Sequence, residues 1–202
     1  LTVGRRSGSR DGLKSYEKLL FQIGLGVLLG FFIYQFGQNS SLALPKGTEL
    51  DVPSFKILIV PFYKPGIMLP ISAFLIVTVL VIAGTSNAVN LTDGMDGLAA
   101  GCMVLVSFVF MVLSALGGDP DQARRLLFPY IPHTAELAVL CGAIMGACMG
   151  FLWYNCHPAQ VFMGDTGSLP LGGLIGYVAI VTRQELMLLI VGGIFVIEAV
   201  SV

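Results

Sequence analysis

Charge is scarce in this sequence. Asp, Glu, Lys and Arg supply 11% of its 202 residues, against roughly a quarter in soluble domains. Hydrophobic residues make up 55%, and the mean hydropathy is +0.86. These values exclude one or two ordinary soluble domains and place the chain in a membrane. The net charge of -1 leaves no general attraction for nucleic acid or anionic lipid, so function must come from local groups. The four cysteines, Cys102, Cys141, Cys148 and Cys156, form no CxxC pair, which excludes a disulfide framework. Each lies in or beside an apolar stretch and reads as a small buried apolar residue. A zinc site built on Cys156 and His157 would need about four ligands, and no others cluster there. The sequence also lacks an internal repeat, a low-complexity linker and, ahead of its basic start, a signal-peptide pattern. With Leu1 in first place, an upstream segment is expected to be missing.

What the chain has in abundance is apolar length. Stretches at 19–36, 67–84, 98–117, 134–154, 169–182 and 186–202 predict six spanning helices in an all-α, polytopic membrane protein. The fifth stretch, at ~1.5 Å per residue, falls short of a ~30 Å hydrocarbon core. The loop before it is therefore expected to dip into the interface. The last stretch meets the chain end without a polar flank, which predicts a cut helix. Each span reverses the side, so the tail 1–18 shares one side with the loops 85–97 and 155–168. Arg5, Arg6, Arg10, Lys14 and Lys18 in that tail favour the cytoplasm, against Lys46, Lys56, Lys64, Arg124, Arg125 and Arg183 on the other side. The segment 39–66 carries Pro45, Pro53, Pro61 and Pro65 around Lys46-Gly47-Thr48 and predicts a short hairpin or irregular cap.

The chemistry lies in two polar segments of the tail's side. One runs Asn87-Ala88-Val89-Asn90-Leu91-Thr92-Asp93-Gly94-Met95-Asp96-Gly97. The other runs Asn155-Cys156-His157-Pro158-Ala159-Gln160-Val161-Phe162-Met163-Gly164-Asp165-Thr166-Gly167-Ser168. Neither contains Lys or Arg. Asp93, Asp96 and Asp165 would repel one another unless a cation or distant basic groups intervened. Hard oxygen ligands suit Mg²⁺, which takes one or two carboxylates and completes its shell with water and substrate phosphates, so a phosphate substrate is expected.

Asn90, Asp93 and Asp96 recur every third residue and in a helical turn would share a face. Gly94 and Gly97 leave room beside the aspartates for a ligand to approach the backbone. The plainer alternative is a capped loop-to-helix junction, since Asp and Gly are ordinary at helix ends. Asp165, Thr166 or Ser168 could serve as N-cap of the next helix, whose free amides would also favour phosphate. His157 and Phe162 are by themselves ordinary loop or packing residues, although Phe162 could offer a stacking face to a base.

At these segments, NAVNLTDGMDGLA from Asn87 and NCHPAQVFMGDTGSL from Asn155, the chain resembles the polyprenyl-phosphate N-acetylhexosamine-1-phosphate transferase superfamily. Within it, the NLTDG and HPAQVF wording is similar to the branch that transfers phospho-N-acetylmuramoyl-pentapeptide. The resemblance implies a ten-helix parent of which these helices are the middle and later part. That parent's Asp-Asp pair would lie before the chain's start and its His-rich loop beyond its end, so the isolated segment is expected to be inactive.

The resemblance makes Asp93, Asp96 and Asp165 the essential carboxylates, with Asp165 as Mg²⁺ ligand. It assigns Asn90, Asn155 and Phe162 to the uridine nucleotide, with His157 and Gly94 as further substrate contacts. The reaction it implies joins UDP-N-acetylmuramoyl-pentapeptide to undecaprenyl phosphate at the cytoplasmic face of the bacterial inner membrane, giving lipid I and UMP for peptidoglycan synthesis. The lipid bilayer would be a partner, nucleic acid would not, and a homodimer is allowed. Two rivals stand beside it. One is a sister transferase using UDP-N-acetylglucosamine; the other is an ion-coupled transporter, suggested by Glu198 inside the last apolar stretch. Acids at one surface argue against the transporter, whose acids would sit near the midplane.

Overall fold

The computed structural model describes residues 15–37, 41–43, 49–61, 63–126 and 128–201. Arg5, Arg6, Arg10 and Lys14 of the tail, and Lys46-Gly47-Thr48, lie outside the described residues. Helix α1 (Ser15–Gly37) leads into two antiparallel strand pairs, β1 (Ser41–Ala43) with β2 (Glu49–Pro53) and β3 (Ile57–Val60) with β4 (Tyr63–Met68). Then follow α2 (Ile71–Thr92), α3 (Leu98–Gly118), a short α4 (Pro120–Arg125), α5 (Ala135–Asn155), α6 (Gly164–Val181), α7 (Glu185–Val191) and α8 (Gly193–Ser201). Helices α1, α2, α3 and α5 are each long and apolar enough to cross a membrane.

The sequence places the helix ends imperfectly. Helix α2 begins at Ile71, because residues 67 and 68 pair in β4, and it runs on to Thr92 through the expected loop 85–97. Helix α6 takes in the polar residues Gly164 to Ser168 as its first turn, so it is longer than its apolar stretch. Met163 stands at its N-cap position without a side-chain cap bond; Asp165, Thr166 and Ser168 are inside the helix instead. The single last helix is broken at Gly192 into α7 and α8, each too short to span. Helix α4 falls outside the apolar stretches, and Asp119 starts it: its Oδ1 accepts from the amides of Asp121 at 2.8 Å and Gln122 at 3.1 Å, with Pro120 in the first turn.

Without a hydrophobic drive between helices in lipid, close approach depends on small side chains. Helix α1 meets α2 through Gly26, against Val79, and Gly30, against Leu75 and Thr78. Helix α6 meets α2 through Gly172 and Gly176, against Thr85, Ser86 and Ile82. A methyl group at Gly172 would stand 2.4 Å from the Thr85 carbonyl oxygen and 2.7 Å from the Ser86 Cα. Both are backbone, so no side chain can turn away. Gly172→Val should therefore destabilise the bundle by about 1–3 kcal/mol or more, and thermal unfolding in detergent should show it beside a neutral Gly173→Ala, which has open space. Larger side chains fill the other seam, where Met103, Val106 and Phe110 of α3 meet Cys141, Ile144 and Cys148 of α5.

At the end of the bundle remote from the two motifs, Phe55 packs on Tyr34 and Phe74 with ring centroids 5.0 and 5.7 Å apart. Arg183, expected as an outer loop charge, is instead buried in the α6–α7 turn. Its Nη1 donates to Glu185 Oε1 at 3.0 Å, and its guanidinium lies 4.9 Å from the centre of the Phe74 ring. A charge so enclosed persists only when paired, and this one has both a carboxylate and an aromatic face.

Candidate active site

Chain direction brings the N-termini of α1, α3 and α6 and the C-termini of α2 and α5 to one end. There the first motif lies antiparallel along the second. Asn90 Nδ2 donates to Asp165 Oδ1 at 2.7 Å and to Ser168 Oγ at 2.8 Å. Asp93 Oδ2 accepts from the Gly164 amide at 3.0 Å. Asp96 Oδ2 accepts from the Ala159 amide at 3.1 Å and stands 3.2 Å from His157 Nδ1. The expected helical face does not extend to Asp96: α2 ends at Thr92 with Asp93 as its C-cap, and Asp96 lies in the turn before α3. The three residues instead meet successive positions of the opposite strand of chain.

Two glycines shape this contact. Gly97 has φ 75° and Gly164 φ 63°, conformations that a side chain resists. At Gly97 a Cβ would also crowd Leu152 Cδ1 at 3.4 Å. Gly94, by contrast, has no positive φ, and a Cβ there would meet only the Leu91 carbonyl at 3.7 Å. Asn155, 3% exposed, braces the two turns: its Oδ1 accepts from the Gly97 amide at 3.1 Å and its Nδ2 donates to the Val161 carbonyl at 2.9 Å. Phe162 is 70% exposed at the rim, and His157 is exposed beyond Asp96. Cys156 is exposed as well, unlike the buried Cys102, Cys141 and Cys148, because α5 ends just before it.

The repulsion expected among the acids is relieved from a distance. Lys18, on the first turns of α1, pairs its Nζ with Asp165 Oδ2. That contact and the Asn90 amide hold the Asp165 carboxyl below the usual carboxylate range. Burial pushes Asp93 the other way, aided by the negative charge of Asp165 and opposed by the Gly164 amide. The two neighbouring carboxylates thus shift in opposite directions, Asp165 down and Asp93 up. Lys18, by sequence a tail charge, and Ser168, by sequence a cap candidate, thus both join the site. Ser168 is fully buried, accepts from Asn90, and returns its hydroxyl to the Gly164 carbonyl at 2.9 Å.

The donor set fits a hard divalent cation that takes most of its ligands from substrate and water. Asp165 is half exposed and neighbours Asp93, while no group of three or more His, Cys, Asp or Glu side chains forms a metal cage among the described residues. Mg²⁺ needs no such cage, because substrate phosphates and water complete its shell.

Comparison with known proteins then decides the family. The model of glycosyl transferase family 4 matches residues 10–183. The chain belongs to that family. It is 46% identical over 195 residues to a phospho-N-acetylmuramoyl-pentapeptide-transferase of Desulfotalea psychrophila (strain LSv54 / DSM 12343) and 48% identical over 195 residues to the protein of the same name from Methylacidiphilum infernorum (isolate V4). Each match covers 95% of this chain and 49% of the relative. The chain thus spans about half the length of the curated relatives it matches.

Proposed function

We propose that the protein containing this chain transfers phospho-N-acetylmuramoyl-pentapeptide from its UDP-activated form to undecaprenyl phosphate, giving lipid I and UMP. The observation that carries this reading is the pairing of the two acidic motifs, with Lys18, into one polar cluster at the end of an apolar bundle. Relatives bearing that transferase name, matched along nearly the whole chain, support the choice of substrates. A phosphate carried on a lipid reaches such a site laterally, while a nucleotide sugar arrives from water.

In the reaction, an oxygen of the lipid phosphate forms a bond to the sugar-bearing phosphorus as the bridging P–O bond breaks, and the electron pair leaves on UMP. A phosphate monoester with a second pKa near ~6 is already largely dianionic at neutral pH. Charge neutralisation and alignment therefore matter more than a general base. Mg²⁺, when bound, would supply charge neutralisation on the phosphates, with Asp165 as ligand and Asp93 beside it. Lys18 brings a positive charge to the same place. Asn90 orients Asp165, and Asn155 fixes the turns that carry Asp93 and Asp96. Phe162 offers an exposed ring to the uracil, with His157, Asn90 and Gly94 as further substrate contacts.

The test is UMP release by the full-length protein from UDP-N-acetylmuramoyl-pentapeptide and undecaprenyl phosphate, with Mg²⁺ or with chelator. Release that needs Mg²⁺ and both substrates is expected. Preference for UDP-N-acetylglucosamine in direct competition would transfer the assignment to the sister enzymes. For orientation we place the site on the cytoplasmic face of the inner membrane. Cys156 should then react with an impermeant thiol reagent only from inside, with nucleotide sugar and Mg²⁺ protecting it, whereas the buried Cys141 and Cys148 react slowly from either side. Labelling of Cys156 from outside would reverse the topology.

A further inference from the structure

One helical turn deeper than Lys18 and Asn90, the same three helices are tied together again. Gln22 follows Lys18 by four residues on α1, Ser86 precedes Asn90 by four on α2, and Leu169 follows Asp165 by four on α6, so each lies beneath a member of the site. Gln22 Nε2 donates to Ser86 Oγ at 3.1 Å and to Asn87 Oδ1 at 3.3 Å. Asn87 Nδ2 donates back to Gln22 Oε1 at 2.8 Å and to the Ala83 carbonyl at 2.8 Å. Ser86 passes its hydroxyl hydrogen to the Leu169 carbonyl at 2.9 Å. Every side-chain amide hydrogen of Gln22 and Asn87 thus has an acceptor. Gln22 is buried, and neither residue belongs to the cluster of acids.

We propose that the reciprocal Gln22–Asn87 amide pair is a positioning device that sets the axial register of α1 on α2 and thereby delivers Lys18 to Asp165; this rests on the transferase reading above. The rest of the α1–α2 seam is apolar: Gly26 and Gly30 lie against Val79, Leu75 and Thr78, and Leu29, Ile33 and Tyr34 pack at its far end, so at the end that carries Lys18 the amide pair is the directional contact. A slip of one residue would carry Lys18 about 1.5 Å along the axis. That exceeds the roughly 1 Å displacement that can cost phosphoryl positioning a hundredfold. The paired amides oppose the slip, since a shifted amide in hydrocarbon finds no replacement partner.

The test exchanges lengths within the pair in the full-length protein. Gln22→Asn shortens the bridge by one methylene and Asn87→Gln lengthens it by one; together they restore the span. Each single variant should lose about tenfold in kcat with KM for the UDP donor within about twofold, and the double variant should recover to within about threefold of the parent. Acylation of Lys18 by a water-soluble succinimidyl ester, read by peptide mass spectrometry, should accelerate at least about threefold in each single variant and return in the double, because a loosened Lys18 leaves Asp165.

Single variants with parental kcat and acylation would overturn the proposal, as would a double variant as poor as the product of the singles. So would a loss of thermal stability at unchanged turnover per folded molecule, which marks a merely structural pair. If the parent itself releases no UMP, the transferase reading fails, and the acylation series alone then decides whether the pair positions Lys18.

Discussion

Asp165→Asn in the full-length protein should lower UMP release by at least about a hundredfold, the scale on which removal of one preorganised charge contact acts on a transition state. The substitution keeps the size of the side chain and still offers an oxygen to Asn90, but it removes the anion that Lys18 contacts. Stability should change little. The folded pKa of Asp165 is depressed, so its ionised form stabilises the fold above the unfolded pKa, and that contribution fades as pH falls through the lower, folded value. Because the side chain is 51% exposed, solvent screens the pair, and the melting temperature should move by no more than about 3 °C. Turnover within about threefold of the parent would remove Asp165 from the chemistry. Asp93→Asn and Asp96→Asn should also be severe, and less than additive with Asp165→Asn if all serve one assembly.

Lys18→Met should be the next most damaging change, again about a hundredfold in kcat. Among the described residues, Lys18 is the one Lys or Arg paired with an acid of either motif. Methionine keeps the aliphatic stem along α1 and removes only the charge, so packing should survive. If Lys18 acts through the charge it brings to Asp165 and the phosphates, Lys18→Arg should recover part of the rate, since the guanidinium holds its charge but its planar fork is broader. Lys18→Met combined with Asp165→Asn should cost well under the product of the two. Independent, multiplicative losses would place Lys18 outside the assembly.

The apolar spans are legible in the sequence because a membrane demands long runs without charge, and α1, α2, α3 and α5 carry them. The end of α2 is not, for a physical reason. Thr85, Asn87 and Thr92 read as loop residues, yet each donates to a carbonyl one turn back: Thr85 to Val81 at 2.7 Å, Asn87 to Ala83 at 2.8 Å and Thr92 to Ala88 at 2.9 Å. Polar side chains satisfied in this way travel inside a helix without breaking it. The acids of both motifs are legible as candidates from residue type and spacing. Their partners are not: no local pattern links Lys18 to Asp165, 147 residues away. Gln22 did leave a trace, an amide set well inside an apolar helix, which in a membrane asks for a partner. Asn155 illustrates the reverse case, a motif residue whose buried amide is spent on the chain's own backbone.

The glycine seams on either side of α2 have a mechanical consequence. Where Gly26 and Gly172 press against the backbone of α2, at Val79 and at Thr85 and Ser86, no change of rotamer opens space, so the spacing of α1, α2 and α6 has little room to adjust there. These helices part as whole bodies or not at all, and parting would strand Gln22, Ser86 and Asn87 in hydrocarbon without partners. The α3–α5 seam, filled by Met103, Phe110 and Ile144, has side chains that can turn and refill space. Stiffness is therefore unequal across the site: Lys18, Asn90 and Asp165 stand on the rigid frame, while the turns bearing Asp96 and His157 hang from the compliant pair.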